Sequence, residues 1–366
     1  MKYAVIMAGG TGKRLWPLSR QKRPKQVLKL LDGQTLLTRC FDRLRPVFDV
    51  RNILVLTNAE YADLVREDLH DLPMHNVIAE PAVRDTAGAI GLAAAVLAKH
   101  DPAAVMSILT ADQLIEPPEV LQQALKDAFE FIAGNPDALI TFGIKPTFPS
   151  TQLGYIKCVN PREWPRCRNA VYSVESFREK PDRPTAERYV GSGQYFWNSG
   201  MFVWRAQTIL ANLHRFLPDS VEPLRRIAAA WDTPRRGAVV DKVWPALPKI
   251  AIDYTVAEPA AASGKLVVIP GDFDWDDVGD FASIAKLHAG GRKSDLAILG
   301  ENARVLADSS TGVVISQSGR LISLIGVTDI VVVDTPDALL VTTTANAQRV
   351  KSVVDALKVS GRDDVL

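Results

Sequence analysis

The 366-residue sequence predicts an α/β fold, a mixed and mainly parallel sheet flanked by helices, followed by a small all-β module that ends in a helix. Three observations carry this reading. Short apolar runs without polar alternation recur between helical patterns in the first 145 residues, a glycine turn follows the first of these runs, and turn-punctuated strand-like runs fill the region after residue 300.

The runs Tyr3–Ala8, Asn52–Thr57, Ala104–Leu109 and Ala138–Phe142 read as strands buried on both faces of a parallel sheet. Between them, Leu36, Leu37, Cys40, Phe41 and Leu44 form one helical stripe, and the alanine-rich Ala87–Lys99 suits a helix lying close on a sheet. From about Phe148 prolines and tryptophans increase, and Tyr155–Val159, Val171–Phe177 and Met201–Trp204 read as an insertion into, or extension of, the first sheet. A polar segment, Gly290–Ser294, then divides an expected domain of residues 1–289 from an expected module of residues 290–366. Within that module Ala303–Ala307, Gly312–Ser316, Leu321–Ile325, Ile330–Val333 and Leu339–Thr342 are strand-like, with turns at Ser309-Ser310-Thr311-Gly312 and Ser318-Gly319. Their spacing fits a meander or a β-solenoid equally. A helix is expected over Ala345–Lys358, where Val350, Val353, Val354 and Leu357 share one face.

The composition directs function toward a local site. With 47% hydrophobic residues the chain has ample core, and 43 basic against 42 acidic residues give a net charge of +1, without a global pull toward nucleic acid or an anionic membrane. Neither partner is expected. Cys40, Cys158 and Cys167 form no disulfide framework or CxxC spacing, and no apolar stretch approaches about 18 residues, so a cytoplasmic location is expected. Five scattered histidines give no HExxH pairing.

Gly9, Gly10 and Gly12 follow the first strand, at the rim where open α/β sheets bind ligands. A Walker A loop needs glycine where Met7 stands, and a dinucleotide fingerprint needs it where Leu15 stands. Both fail. The segment instead carries Lys13, Arg14, Arg20, Lys22, Arg23 and Lys25 with no acidic residue between Gly9 and Lys29. A solvated basic loop is one reading; a cradle for a triphosphate, with arginine as fork and lysine as point charge, is the other.

A triphosphate site calls for Mg²⁺, which takes one or two carboxylates alongside phosphate oxygens and water. Asp112 lies just past the strand-like Ala104–Leu109, and the stretch GDFDWDDVGDF, residues 271–281, gathers Asp272, Asp274, Asp276, Asp277 and Asp280. Phe273, Trp275 and Phe281 are suited to anchor that stretch, and of the adjacent Asp276 and Asp277 only one is expected to face a metal.

At this point the motifs resemble the sugar-nucleotidyltransferases, in the branch that makes GDP-mannose, across essentially the whole chain. The resemblance rests on MAGGTGKRLWPLSR with the following RPKQ, on EPAVRDTAGAI, FREKPD, WNSGMFVW, AIDYTVAE and DWDDVGDF, in that order. It implies a Rossmann-like catalytic domain with a short C-terminal β-helix, and Mg²⁺-dependent transfer of GMP from GTP to α-D-mannose 1-phosphate, giving GDP-mannose and pyrophosphate. The same resemblance implies catalytic roles for Arg14 and Lys25 at the triphosphate, and a nucleotide site of Gly9, Gly10, Thr11, Gly12, Glu80, Arg84, Asp85 and Thr86. Glu80 would accept hydrogen bonds from guanine N1–H and the 2-amino group. Gly154, Glu179, Lys180, Asn198 and Asp253 would hold the sugar phosphate, and Asp112 and Asp277 would hold Mg²⁺. A homodimer is an assembly the β-helix allows, and no isomerase domain is expected after Leu366.

The chain departs from the family pattern at Thr110 and Gln113 around Asp112, where Pro and His are usual, at Asp85 for Asn, at Gly88 for Pro, and at Phe281 for Trp. Two alternatives follow: another pairing of nucleotide and hexose 1-phosphate, or a catalytically silent GDP-mannose-binding subunit.

Overall fold

The computed structural model describes residues 1–162, 164–288, 296–301 and 303–366. The expected boundary at 289/290 and the segment Gly290–Ser294 lie outside them. Two compact units are formed: Met1–Gly9, Cys40–Ala111 and Ile115–Trp275 make the first, and Gly10–Arg39, Asp112–Leu114 and Asp276–Leu366 make the second.

A nine-stranded sheet organises the first unit, in the order Val77–Glu80, Ile53–Asn58, Lys2–Met7, Val105–Thr110, Tyr195–Arg205, Leu139–Ile144, Leu266–Pro270, Val171–Arg178, Tyr155–Arg162. The first four are mutually parallel, and the four expected apolar runs all lie in this sheet, shifted by one or two residues. Register aligns their carboxyl ends, pairing Met7 with Leu56 and Thr110, and Asn58 with Glu80. The glycine turn and Glu80 therefore leave the sheet at one rim. The strand Tyr195–Arg205 runs antiparallel to both of its main neighbours, and its register against Leu139–Ile144 slips between Asn198 and Phe202. Such a bulge re-aims a side chain, and here that side chain is Asn198.

The pieces expected to extend the sheet do so as Tyr155–Arg162 and Val171–Arg178. Leu266–Pro270, a five-residue run that periodicity does not single out, lies between Leu139–Ile144 and Val171–Arg178. The core continues under the helices Asp85–His100, Ala206–Phe216 and Val221–Ala230. Alanines 89, 93 and 94 of the first of these are buried, as its sequence predicts. No helix among the described residues is long and apolar enough to cross a membrane.

In the second unit Leu296–Leu299, Gly312–Ser316 and Ile330–Asp334 stack in parallel, as do Arg304–Asp308 and Leu321–Ile325. A meander pairs consecutive strands antiparallel; here every second strand pairs in parallel, which makes the module a β-solenoid. Leu339–Thr343 ends it by pairing antiparallel to Ile330–Asp334. Val313, Ile315, Val331 and Val333 form one core with Leu15, Trp16 and Leu18 of the glycine segment and with Val350 and Val354. The final helix is Val350–Val359, five residues later than its expected start, because Thr344–Arg349 winds more tightly as a 3-10 turn.

Candidate functional site

In the first unit the rim is tied down by backbone-directed polar groups. Ala8 N donates to Leu56 O at 2.7 Å, Thr57 Oγ1 to Ala8 O at 2.9 Å, and Asn58 Nδ2 to Gly9 O at 3.3 Å. Glu80 closes its strand only 6% exposed, and burial pushes its carboxyl up to about 8 from the ordinary 4.5. At neutral pH a carboxyl in that setting is mostly protonated, and donors brought to it favour its ionisation.

Beyond Glu80 the chain enters the helix Asp85–His100. Asp85 is exposed and left-handed, with φ of 59°, a conformation that Asn and Asp tolerate better than other side chains. Its Oδ1 accepts from Thr86 N at 2.8 Å. Two expected nucleotide residues hold protein atoms: Arg84 donates to the carbonyls of Trp244 at 3.3 Å and Pro245 at 2.8 Å, and Thr86 Oγ1 accepts from Ile252 N at 2.8 Å. Through that last bond Thr86 locates the neighbour of Asp253.

All five expected sugar-phosphate residues come together in this unit. Asn198 N donates to Gly154 O at 2.8 Å, and Asn198 Nδ2 to Asp253 Oδ1 at 2.9 Å. The amide's orientation is fixed from behind, since Asn198 Oδ1 accepts from Thr141 Oγ1 at 2.8 Å. Lys180, at φ 46°, places Nζ 3.0 Å from Glu179 Oε1. A Cβ on Gly154 would stand 2.4 Å from Glu179 Oε2 and 3.3 Å from Asn198 Cβ, so a side chain here would push the carboxylate from its place. Asp253 opens a π-helix, Asp253–Ala257; burial, followed by repulsion from Glu179, raises its carboxyl to about 7, against the opposing pull of Lys180 and Asn198. Glu258, which the motif AIDYTVAE ends on, was given no role by the sequence; its Oε1 accepts from Glu179 N at 3.1 Å and so holds the Glu179–Lys180 turn.

The second unit carries the cations. Gly12 is left-handed at φ 67°, and a Cβ there would meet Lys25 Cβ at 2.5 Å, so the turn and the lysine pack against each other. Nothing lies within 4 Å of where a Cβ on Gly10 would stand, which leaves its backbone open to a ligand. Thr11 beside it is exposed. Lys25 is buried; its Nζ lies 3.0 Å from Asp112 Oδ2 and donates to the Asp277 carbonyl. Asp276 Oδ1 accepts from Val278 N at 2.7 Å, which turns its side chain to the backbone. Asp277 makes no such turn. Burial raises its carboxyl, Lys25 and Arg14 oppose that rise, and Asp276 and Asp112 add to it. The carboxylates of Asp112 and Asp277 lie near enough to repel one another, a donor set of the kind Mg²⁺ takes alongside phosphate oxygens and water. No cluster of three or more His, Cys, Asp or Glu suited to a metal occurs among the described residues.

Two other cations of the glycine segment, Lys13 and Arg20, have acidic or carbonyl partners far along the chain. Lys13 Nζ pairs with Asp355 at 3.0 Å, and Arg20 with Asp337 at 2.7 Å and with the Val365 carbonyl. Lys22 and Arg23 are exposed. The run is thus not six unmatched charges: Arg14 and Lys25 are the two set toward Asp277.

Comparison with known proteins gives the family of the chain. The family model described as nucleotidyl transferase matches residues 3–294, and that described as the mannoseP isomerase/GMP-like beta-helix domain matches residues 302–357. The chain is 36% identical to a mannose-1-phosphate guanylyltransferase of Escherichia coli strain K12, over 99% of this chain and 74% of that protein. It is 37% identical to mannose-1-phosphate guanylyltransferase ManC of Salmonella typhimurium strain LT2, over 99% of this chain and 74% of that protein. A crystal structure from Thermus thermophilus, described as a mannose-1-phosphate geranyltransferase, superposes with a TM-score of 0.85 at 34% identity, covering 98% of this chain and 99% of the other.

Proposed function

We propose a residue-level account of catalysis from the premise that this chain belongs to the nucleotidyl transferase family and, within it, to the mannose-1-phosphate guanylyltransferases. The activity is GDP-mannose synthesis: a phosphate oxygen of mannose 1-phosphate attacks the α-phosphorus of GTP, a new P–O bond forms, and pyrophosphate leaves with the electrons of the bond that breaks.

The nucleophile is already an anion, so no general base is needed, and the protein's task is to bring two polyanions together and align them. Lys180 neutralises the sugar phosphate, while Glu179, Asn198 and Asp253 present acceptors and an amide to the sugar hydroxyls, with Gly154 giving Glu179 its room. Glu80 takes guanine N1–H and the 2-amino group on its two oxygens; adenine offers no such pair of donors. Gly9, Gly10, Thr11 and Gly12 present backbone N–H groups to the phosphates, and Arg84, Asp85 and Thr86 shape the entry of the helix beside Glu80. Arg14 and Lys25 balance the charge that accumulates on the departing pyrophosphate. Asp112 and Asp277 would hold Mg²⁺, which would supply further charge neutralisation at the phosphates.

The observation that carries this reading is Lys25: a buried ammonium between the Asp112 carboxylate and the Asp277 backbone, packed against the glycine turn. A buried cation so placed has ionic work to do. Lys25→Met, which keeps the length of the side chain and removes its charge, is expected to lower turnover by at least about a hundredfold with the circular dichroism spectrum unchanged. Near-normal turnover would overturn the assignment.

Exposed Leu306, Leu321, Ile325 and Val341 on the solenoid support a homodimer through that module, and three cysteines, too few and too scattered for a disulfide framework, support residence in a reducing cytoplasm.

A further inference from the structure

Two cations of the glycine segment are spent on carboxylates of the C-terminal part of the second unit, Lys13 on Asp355 and Arg20 on Asp337. Arg14 is treated differently. Its Nη1 donates to a neutral acceptor, Gln348 Oε1, at 2.8 Å. The other end of that amide donates through Nε2 to Asp280 Oδ2.

Asp280 is itself immobilised. It is 6% exposed, and its Oδ1 accepts from Ala282 N at 2.8 Å and Ser283 N at 3.1 Å, at the start of the helix Phe281–His288. The remaining oxygen accepts and so selects the NH₂ end of Gln348, which leaves Oε1 facing the guanidinium. The backbone of Gln348 is equally fixed, since Ala347 and Val350 on either side are buried in the solenoid core. An amide in this place orients the guanidinium without neutralising it. A carboxylate would orient it too, but would then compete with any anion that Arg14 is meant to receive.

We propose that Gln348 is a positioning residue for nucleotide binding: it aims Arg14 at the triphosphate with its charge unspent, which makes the turn after the β-solenoid a working part of the GTP site. The proposal rests on the reading that Arg14 meets the triphosphate.

The test is steady-state kinetics of the full-length enzyme with GTP and with mannose 1-phosphate varied separately, for Gln348→Ala, Gln348→Met and Gln348→Glu, each alone and with Arg14→Ala. Loss of one hydrogen bond to a charged group corresponds to roughly a tenfold fall in kcat/KM for GTP, expected for both the Ala and the Met variants. Gln348→Glu is expected to fall further, about a hundredfold, because it pairs with Arg14 and faces Asp280. KM for mannose 1-phosphate should stay within about twofold in all three. In the Arg14→Ala background the Gln348 substitutions should have no further effect, a coupling that a general packing defect does not produce. Thermal melting checks that the variants are folded, and Gln348→Met keeps the side-chain volume if Gln348→Ala does not fold. Normal GTP kinetics in Gln348→Met, or an undiminished loss when Arg14 is already absent, would overturn the proposal while leaving the Arg14 assignment intact. Normal GTP kinetics in Arg14→Ala alone would overturn that assignment and the proposal together.

Discussion

Raising the pH from 7 to 9 is expected to strengthen GTP binding about tenfold through one side chain, and Glu80→Gln is expected to remove that gain. Glu80 is nearly buried at the end of the strand Val77–Glu80, and desolvation lifts its carboxyl to about 8. Guanine N1–H and the 2-amino group both donate, so the ionised carboxylate is the form that binds. At pH 7, one unit below that value, only about a tenth of the unliganded protein is ionised, and ionising the rest costs about 1.4 kcal/mol. That cost disappears by pH 9. The sign follows from the raised value: binding favours the deprotonated form, so it releases a proton and tightens as pH rises. Isothermal titration in two buffers of different ionisation enthalpy should count about 0.9 proton released from this group at pH 7. The terminal phosphate of GTP also titrates, so Glu80→Gln is the control, and the difference between the two proteins is the quantity read. Identical pH profiles and identical proton release for both would refute the reasoning. The same raised carboxyl lowers folding stability as pH climbs from about 4.5 toward 8, so unliganded Glu80→Gln should melt above the parent protein at pH 9.

Asp277→Asn should lose Mg²⁺-dependent turnover by about a hundredfold or more, while Asp276→Asn, which keeps the oxygen that accepts from Val278 N, should stay within about tenfold; a Mg²⁺ titration of rate checks both, and the reverse order would exchange their roles. Gly154→Ala places a Cβ 2.4 Å from Glu179 Oε2, so KM for mannose 1-phosphate should rise by about tenfold or more, with KM for GTP little changed.

The strands of the sheet were legible because burial on both faces writes an uninterrupted apolar run into the sequence, as at Tyr3–Ala8 and Ala104–Leu109. Leu266–Pro270 has the same apolar character but was not singled out, and its place in the sheet is set by partners more than 80 residues away. The solenoid was legible only as strands: spacing records turns, whereas the parallel pairing of every second strand is a long-range choice. The basic run shows the same limit. Its cations were evident, but Asp355 and Asp337, which take up Lys13 and Arg20, lie more than 300 residues further on. Nothing near the run foretold that two charges were already matched. At Asp85 the departure from the family pattern finds a backbone cause, since φ of 59° admits Asp as well as Asn, and its exposed carboxylate is turned to Thr86 N. Glu258 and Gln348 were missed for a common reason. Each acts on another side chain or turn rather than on a ligand, and such a role has no signature in residue type.

The account is tested most directly by pyrophosphate release from the purified protein across GTP, ATP, UTP and dTTP, each with mannose 1-phosphate and with glucose 1-phosphate. Mg²⁺-dependent release that is greatest with GTP and mannose 1-phosphate, with equimolar GDP-mannose formed, is the predicted result. Tight binding of GDP-mannose without release from any pair, or a maximum with another nucleotide, would contradict it.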